Sequence, residues 1–233
     1  MNYYGRRTNR MAVTVLCAAV SVIGTLAFMI TSVFFSLYFG VLNTKYIEKN
    51  CASAFVATSL GVSDDDLHNA IEHLVNGLKK GEDPSTVVMI HEKETDFYSQ
   101  SEINAIMDTG TKLIFMRNLF YALGIISIAM IIFVIASSRV RILRNVFAVF
   151  WGLIILTGLI ILIYVRINPS LFTQGFVSTL ILNSDVVAAD SNSMLVSLFP
   201  SKLIESAVFF VTCLFVIFQM MILLLINKFT LKK

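Results

Sequence analysis

Long uncharged stretches alternate along this chain with segments that are rich in charge. Four stretches contain no Asp, Glu, Lys or Arg, and each has at least 21 residues: Met11–Thr44, Asn118–Ser138, Asn145–Val165 and Ser206–Asn227. A helix of roughly 20 apolar residues crosses the hydrocarbon core of a bilayer, which is about 30 Å thick. The pattern therefore predicts an α-helical integral membrane protein with four transmembrane helices.

These stretches divide the chain into four spans and two long connections. The predicted spans are residues 11–40, 118–138, 145–165 and 206–227, and the connections are residues 41–112 and 166–205. The composition agrees, because 57% of the residues are hydrophobic and only 14% are charged, whereas about a quarter are charged in soluble domains. The first uncharged stretch has 34 residues, too many for the 7–15 of a signal-peptide core. We interpret it as a retained anchor helix.

Charge separates the short segments from the long connections. The two tails and the turn between the second and third spans hold nine of the 18 Lys and Arg residues and no acidic residue. The connections, with Arg117 just before the second span, hold the other nine and all 15 acidic residues. Positive residues beside spans stay cytoplasmic. We therefore expect a bacterial cell-membrane protein with both termini inside and both connections outside. Membrane lipids are its predicted partners, and the basic clusters are too short to favour nucleic acid.

The first connection carries clear signals of folded structure. A helix is predicted at Asp64–Lys80, with Ser63 as its N-cap, apolar residues at helical spacing and Gly81 after its end. The β-branched run Thr86–Ile90 predicts a short buried strand. The capping-box pattern Ser99–Glu102 predicts a second helix that runs toward the second span. Together they predict a small mixed α+β extracytoplasmic cap.

The second connection is predicted from weaker signals. A short helix is expected after Asn168, and an extended run at Thr179–Leu182. Ser191 is a candidate cap for a helix at Asn192–Phe199, which Pro200 would end. We expect the two connections to pack on each other, because neither has another large neighbour outside the spans.

Asp, Glu, Lys, Arg and His are missing from the four predicted spans. Proton relays and ion-coupled pumps place such residues at membrane depth, so the sequence argues against a proton-coupled transporter. Gln219, Thr25 and Thr31 are the more polar residues there. We expect each to form an interhelical hydrogen bond.

Cysteine and histidine spacing predicts neither a metal site nor a cofactor. Cys51 alone lies outside the spans, which excludes a disulfide framework and a cysteine-based zinc site. His68 and His73 would project about 140° apart on a helix, so they cannot chelate one ion from the same face. His68 and Glu72 share a face, but two ligands do not make a zinc site.

Several segments together resemble a known family. They are LGVSDDDLHNAIEHLVNGLK, SQSEINAIMDTGTKL, SLFTQGF, LILN and DSNSMLVSLFPSKL, in that order. The order of these segments and the layout of four spans with a large first connection are similar to the Lit-type lipoprotein intramolecular transacylases and the bacterial membrane proteins grouped with them. The resemblance extends over most of the chain, from about Phe34 to Lys228.

The resemblance implies acyl transfer at the outer leaflet, from the diacylglyceryl-cysteine of a lipoprotein to its own α-amine. Lipidated proteins would then be partners, and two histidines would supply the base. This sequence matches the family pattern at Glu102 and Asp108, but Ala105 and Thr173 stand where the histidines are expected. Loss of a general base typically lowers a rate by about 10²–10⁴, so the resemblance implies an impaired or divergent acyltransferase.

Three hypotheses follow. In the first, a divergent enzyme uses a relocated base, with His91, Glu102 and Asp108 as candidates, although Glu102 is equally well explained as a helix-capping residue. In the second, a non-catalytic cap binds lipids or lipidated proteins, or modulates a partner. In the third, an envelope sensor signals through the six-residue turn Arg139–Arg144, which we rank last.

Overall fold

Four helices in the computed structural model are long and apolar enough to cross a membrane: Met11–Val41, Gln100–Ala136, Val140–Ile167 and Lys202–Lys228. The prediction of four long apolar helices is thereby confirmed. The structure describes residues 3–90, 93–168 and 194–231.

The described residues form eight α-helices, one π-helical turn and one hairpin. In chain order they are α1 (Tyr3–Phe35), the π-helical turn (Ser36–Val41), α2 (Thr44–Ser53), α3 (Val56–Leu60), α4 (Asp64–Lys80), β1 (Val87–Ile90), β2 (Lys93–Asp96), α5 (Gln100–Ala136), α6 (Val140–Ile167), α7 (Met194–Ser197) and α8 (Ser201–Leu231).

The chain divides into two compact units. The bundle unit consists of Met1–Ser36, Leu119–Leu159 and Thr212–Lys233, and the connection unit consists of Leu37–Asn118 and Ile160–Val211. In the bundle unit, Phe28 contacts Phe147 and Phe218, with ring centroids 6.2 Å and 5.8 Å apart. Phe28 and Phe147 belong to an apolar core that joins all four long helices.

The buried polar side chains of the bundle unit correct one expectation. Gln219, Thr25 and Thr31 are all buried, but none of their side-chain polar atoms has a hydrogen-bond partner among the described residues. The expected interhelical hydrogen bonds are therefore wrong. At Thr31 the methyl group lies beside Gly124 of α5, which has no side chain that could accept or donate a hydrogen bond.

Helix α4 has the bounds that the sequence predicts. The Ser63 hydroxyl accepts a hydrogen bond from the backbone N–H of Asp66 at 3.0 Å. Gly81 ends the helix in the left-handed conformation, with φ of 72°. The apolar stripe, including Leu67, Ile71 and Leu74, is buried, and so local signals and tertiary packing agree over the whole helix.

The predicted strand exists but is not fully buried. β1 pairs in antiparallel register with β2, so that Val87 lies opposite Asp96 and Ile90 opposite Lys93. Only Val88 of β1 is buried, while Val87 and Met89 are exposed. A two-stranded hairpin has a solvent-facing side, which explains why a run of apolar residues is only partly covered. The polar strand β2 was not predicted.

Helices α2 and α3 and the π-helical turn were also not predicted. Helix α2 has no side-chain hydrogen bond at its N-cap Asn43, so no local signal marks its start. In the second connection, α7 lies within the predicted helix Asn192–Phe199 and ends before Pro200. The predictions for the helix after Asn168, for Thr179–Leu182 and for Ser191 lie outside the described residues.

Candidate functional site

The first turns of α5 carry the residues that the family resemblance singled out. Glu102 and Ala105 both face the interior of the connection unit, with 5% and 3% of their surfaces exposed. They are three residues apart, which places them one above the other on the same helix face. Any chemistry at these positions would therefore take place in a buried environment.

Glu102 closes a capping box. Its Oε2 accepts hydrogen bonds from the backbone N–H and the hydroxyl of Ser99, at 2.8 Å and 3.0 Å. In return, the Ser99 hydroxyl accepts the backbone N–H of Glu102 at 3.3 Å. These contacts satisfy backbone donors that the start of a helix leaves free.

The other carboxylate oxygen of Glu102 reaches the second connection. Its Oε1 accepts a hydrogen bond from the backbone N–H of Leu195, at the start of α7, at 3.4 Å. One buried carboxylate thus links two segments that are 93 residues apart. Donors on both oxygens fix the orientation of the Glu102 carboxylate.

The remaining predicted candidates do not gather around Glu102. Asp108 follows Glu102 by six residues, which turn a helix by about 240°, so it lies on another face of α5. There it is exposed and forms an ion pair with Lys112. His91 and Thr173 lie outside the described residues. The structure therefore joins Glu102 with Ala105 and separates both from Asp108.

Tyr98 and Cys51 border the same buried region, and sequence reasoning did not single out Tyr98. The Tyr98 hydroxyl donates a hydrogen bond to the carbonyl oxygen of Ala70 in α4 at 2.8 Å. Burial raises the pKa of Tyr98 well above its usual value, and electrostatic interactions with Glu102 and Cys51 raise it further. Tyr98 is therefore a neutral hydrogen-bond donor that fixes α4 to the start of α5.

The Cys51 thiol is not accessible, although Cys51 lies outside the four predicted spans. Its side chain is fully buried, and its Sγ donates to the carbonyl oxygen of Leu198 at 3.4 Å. Burial, with a smaller effect of Glu48, raises the pKa of Cys51 to about 12. The thiolate is the nucleophile and metal-binding form of cysteine, so Cys51 is a structural residue at neutral pH.

A second polar group joins α2 to α8. The Ser206 hydroxyl donates to the side-chain oxygen of Asn50 at 2.8 Å, and the Tyr46 hydroxyl lies 2.8 Å from the Ser206 hydroxyl. Asn50 in turn donates to the backbone carbonyl of Tyr46 at 2.8 Å. Desolvation raises the pKa of Tyr46 despite these hydrogen bonds. The group is a closed set of hydrogen bonds that leaves no strong base or nucleophile.

His68 lies between two carboxylates on the surface of the connection unit. Its Nδ1 contacts Glu48 of α2, and its Nε2 is 3.7 Å from Glu72, one turn along α4. Because the carboxylates meet opposite nitrogens, the three side chains do not converge on one point. Within the described residues, no group of three or more His, Cys, Asp or Glu side chains is placed to hold a metal ion.

No protein-family model matches this chain, and no curated protein or solved structure matches it either.

Proposed function

We propose that this chain is a multi-pass protein of a bacterial cell membrane that presents the connection unit on the outer face, with both termini in the cytoplasm. The four helices of sufficient length and hydropathy support the membrane location. The concentration of positive charge in the tails and in residues 139–144, where α5 ends and α6 begins, supports the orientation.

We further propose that the connection unit binds lipids or lipidated proteins without transferring acyl groups. The observation that carries this proposal is the environment of Glu102. Its two carboxylate oxygens accept hydrogen bonds from Ser99 and Leu195 and thereby join the start of α5 to α7. A general base must lie within hydrogen-bond reach of the proton that it abstracts, whereas Glu102 is packed inside the connection unit with 5% of its surface exposed. Ala105, beside it, supplies a methyl group where the family resemblance implies a histidine.

Lipopeptide analysis tests the non-catalytic half of the proposal. The chain would be produced in a bacterium that lacks lipoprotein N-acylation, and N-terminal lipopeptides would be examined by mass spectrometry. We expect no lyso-form product. A clear yield of product that disappears with His91→Ala would contradict the proposal and support the alternative, a divergent acyltransferase with a relocated base.

Direct binding tests the other half. Purified protein in nanodiscs would be titrated with a fluorescent peptide whose N-terminal cysteine carries a diacylglyceryl group, and with the same peptide without lipid. We expect saturable binding of the lipidated peptide above its partition into empty nanodiscs. Equal signals from loaded and empty nanodiscs would contradict a binding role.

A further inference from the structure

Each of the four candidate spans carries one exposed aromatic side chain in the part that belongs to the connection unit. They are Phe39 in Met11–Val41, Phe115 in Gln100–Ala136, Tyr164 in Val140–Ile167 and Phe209 in Lys202–Lys228. Between 49% and 68% of each of these residues is exposed. A single exposed aromatic residue is common on protein surfaces, but aromatic side chains gathered at one level are typical of the boundary between lipid and water.

A contact inside the connection unit places Phe39 and Phe209 at one level. The ring of Phe210 packs against Gly40, and a Cβ atom on Gly40 would overlap that ring. Phe39 and Phe209 are the chain neighbours of these two residues. They therefore lie within about one helical turn, 5.4 Å, of the same level, and both point away from the contact into exposed positions.

The end of α4 connects Phe115 to the same level. The amino group of Lys79 lies 5.3 Å from the centre of the Tyr38 ring in the π-helical turn. Two residues further along, a Cβ atom on Gly81 would lie 3.6 Å from the side chain of Ile114 in α5. Phe115 follows Ile114 directly, so it lies beside the end of α4 at the level of the π-helical turn.

Helix α2 runs antiparallel to the first turns of α8. Three contacts join the two helices in opposite order, with ring centroids 5.5 Å apart in the first and hydrogen bonds of 2.8 Å and 3.2 Å in the others: Tyr46 with Phe210, Asn50 with Ser206, and Ser53 with Lys202. At 1.5 Å per residue, the joined segments are about 10–12 Å long. Helix α2 thus starts beside Phe210 and ends beside Lys202, further from the middle of the span.

Charges on α2 limit how far out the hydrocarbon layer can reach. Lys45 and Lys49 are exposed, and both lie closer to the middle of the span than Lys202 does. Hydrocarbon that extended to Lys202 would enclose both charges, which is costly. A boundary at Phe210 leaves Lys49 in water, and it allows Lys45 and Arg117 to extend their charged ends into the headgroup layer.

Helix length limits how far in the boundary can lie. From the exposed aromatic residue to the opposite end of the span there are 19 residues on α8, 20 on α6 and 21 on α5, counted to Lys228, Arg144 and Ala136. These lengths are about 28–32 Å at 1.5 Å per residue, and the hydrocarbon core is about 30 Å thick. A boundary one turn further in would leave α8 too short to bring Lys228 to the opposite headgroups.

We propose that Phe39, Phe115, Tyr164 and Phe209 form an aromatic belt at the edge of the hydrocarbon layer on the side of the connection unit. The belt would contact the acyl chains just below the phospholipid headgroups. Lipid would then cover α8 only from Phe209 onward, while the first two turns of α8 and the end of α2 stand in water. This inference rests on the proposed membrane location.

Tryptophan fluorescence tests the level of the belt, because Trp151 is the only tryptophan of the chain. In a Trp151→Phe background, Phe115→Trp and Phe209→Trp would each report on the belt. Phe55→Trp is the matched control, since Phe55 is also an exposed phenylalanine but lies two residues after Ser53, at the level of Lys202. The variants would be placed in phosphatidylcholine vesicles with and without bromine near the headgroup end of the acyl chains.

We expect brominated lipid to quench most of the emission of Phe115→Trp and Phe209→Trp and little of that of Phe55→Trp. Acrylamide in the water should quench Phe55→Trp most. Equal bromine quenching at all three positions, or none at Phe115→Trp and Phe209→Trp, would overturn the belt if the protein stays in the membrane after an alkaline carbonate wash. Release of the protein by the wash would contradict the membrane location and the belt together.

Cysteine labelling covers a tryptophan variant that does not fold. Phe209→Cys and Phe55→Cys would be made in a background in which Cys17, Cys51 and Cys213 are replaced with Ala, and treated in vesicles with a membrane-impermeant maleimide. We expect the Phe55→Cys thiol to react readily and the Phe209→Cys thiol to react only after the membrane is dissolved in detergent. Equal rates in intact vesicles would contradict the inference.

Discussion

Gly110 of α5 lies directly against the backbone of Gly77 of α4. A Cβ atom on Gly110 would be 3.2 Å from the carbonyl carbon of Gly77 and nearer still to its oxygen. Two helices can approach this closely only where neither has a side chain at the crossing. The Gly77–Gly110 contact therefore sets how α4 lies on the first turns of α5, beside Glu102 and Ala105.

Gly110→Ala should consequently destabilise the connection unit. The added methyl group would meet backbone atoms, which cannot move aside as a flexible side chain can, and we expect a loss of about 2–3 kcal/mol in unfolding free energy. Gly152→Ala in α6 is the matched control, because nothing lies within 4 Å of its added Cβ. That change should leave stability equal or raise it by up to about 1 kcal/mol. Denaturant unfolding in detergent measures both, and equal effects would contradict the close contact.

Glu102→Ala should separate the structural role of this carboxylate from that of Asp108. Removing Glu102 leaves the backbone donors of Ser99 and Leu195 without their partner, and we expect a loss of about 1–3 kcal/mol. Asp108→Ala removes only an exposed ion pair with Lys112 and should change stability by less than about 1 kcal/mol. Thermal unfolding followed by circular dichroism compares them. A larger effect at Asp108 would contradict the assigned role of Glu102.

Gln219→Leu should increase the stability of the bundle unit. The Gln219 amide is fully buried, and its nitrogen and oxygen lack partners among the described residues. Replacing an unsatisfied polar group with an apolar one of similar size removes a desolvation penalty of about 1–3 kcal/mol. Resistance to denaturation in detergent measures the gain. A marked loss of stability would show that Gln219 has a hydrogen-bond partner in the membrane.

Cys51 should make the protein sensitive to alkaline pH. Its pKa is raised from 9.0 to about 12 in the folded state, so the stability it contributes is present below pH 9 and is lost as the pH rises toward 12. In that interval the unfolded protein binds one proton fewer than the folded protein. The unfolding free energy therefore falls by about 1.4 kcal/mol per pH unit. Cys51→Ala should make this slope shallower by up to the contribution of one proton, about 1.4 kcal/mol per pH unit. An unchanged slope between the two proteins would contradict a buried, protonated thiol.

Local signals in the sequence predicted the parts of the fold that local interactions determine. Ser63 and Gly81 mark the two ends of α4, and Ser99 with Glu102 marks the start of α5, because capping depends on residues within one turn. Helix α2 lacked such a signal, since its contacts with Ser206 involve residues more than 150 positions away.

The candidate site was less predictable for the same reason. The capping role of Glu102 was open to sequence reasoning, but its second contact with Leu195 spans 93 residues. The burial of Cys51, similarly, has no signal in the residues around it. Its burial comes from Leu198, which is 147 residues away.

Thiol accessibility in whole cells tests the central claim, the orientation of the two connections and the turn between α5 and α6. Gln100→Cys and Ser138→Cys would be produced separately and treated with a membrane-impermeant maleimide in intact spheroplasts and after lysis, with Cys51 remaining unlabelled because it is buried. We expect Gln100→Cys to react in intact spheroplasts and Ser138→Cys to react only after lysis. The opposite result would contradict the orientation and the outer-face role built on it.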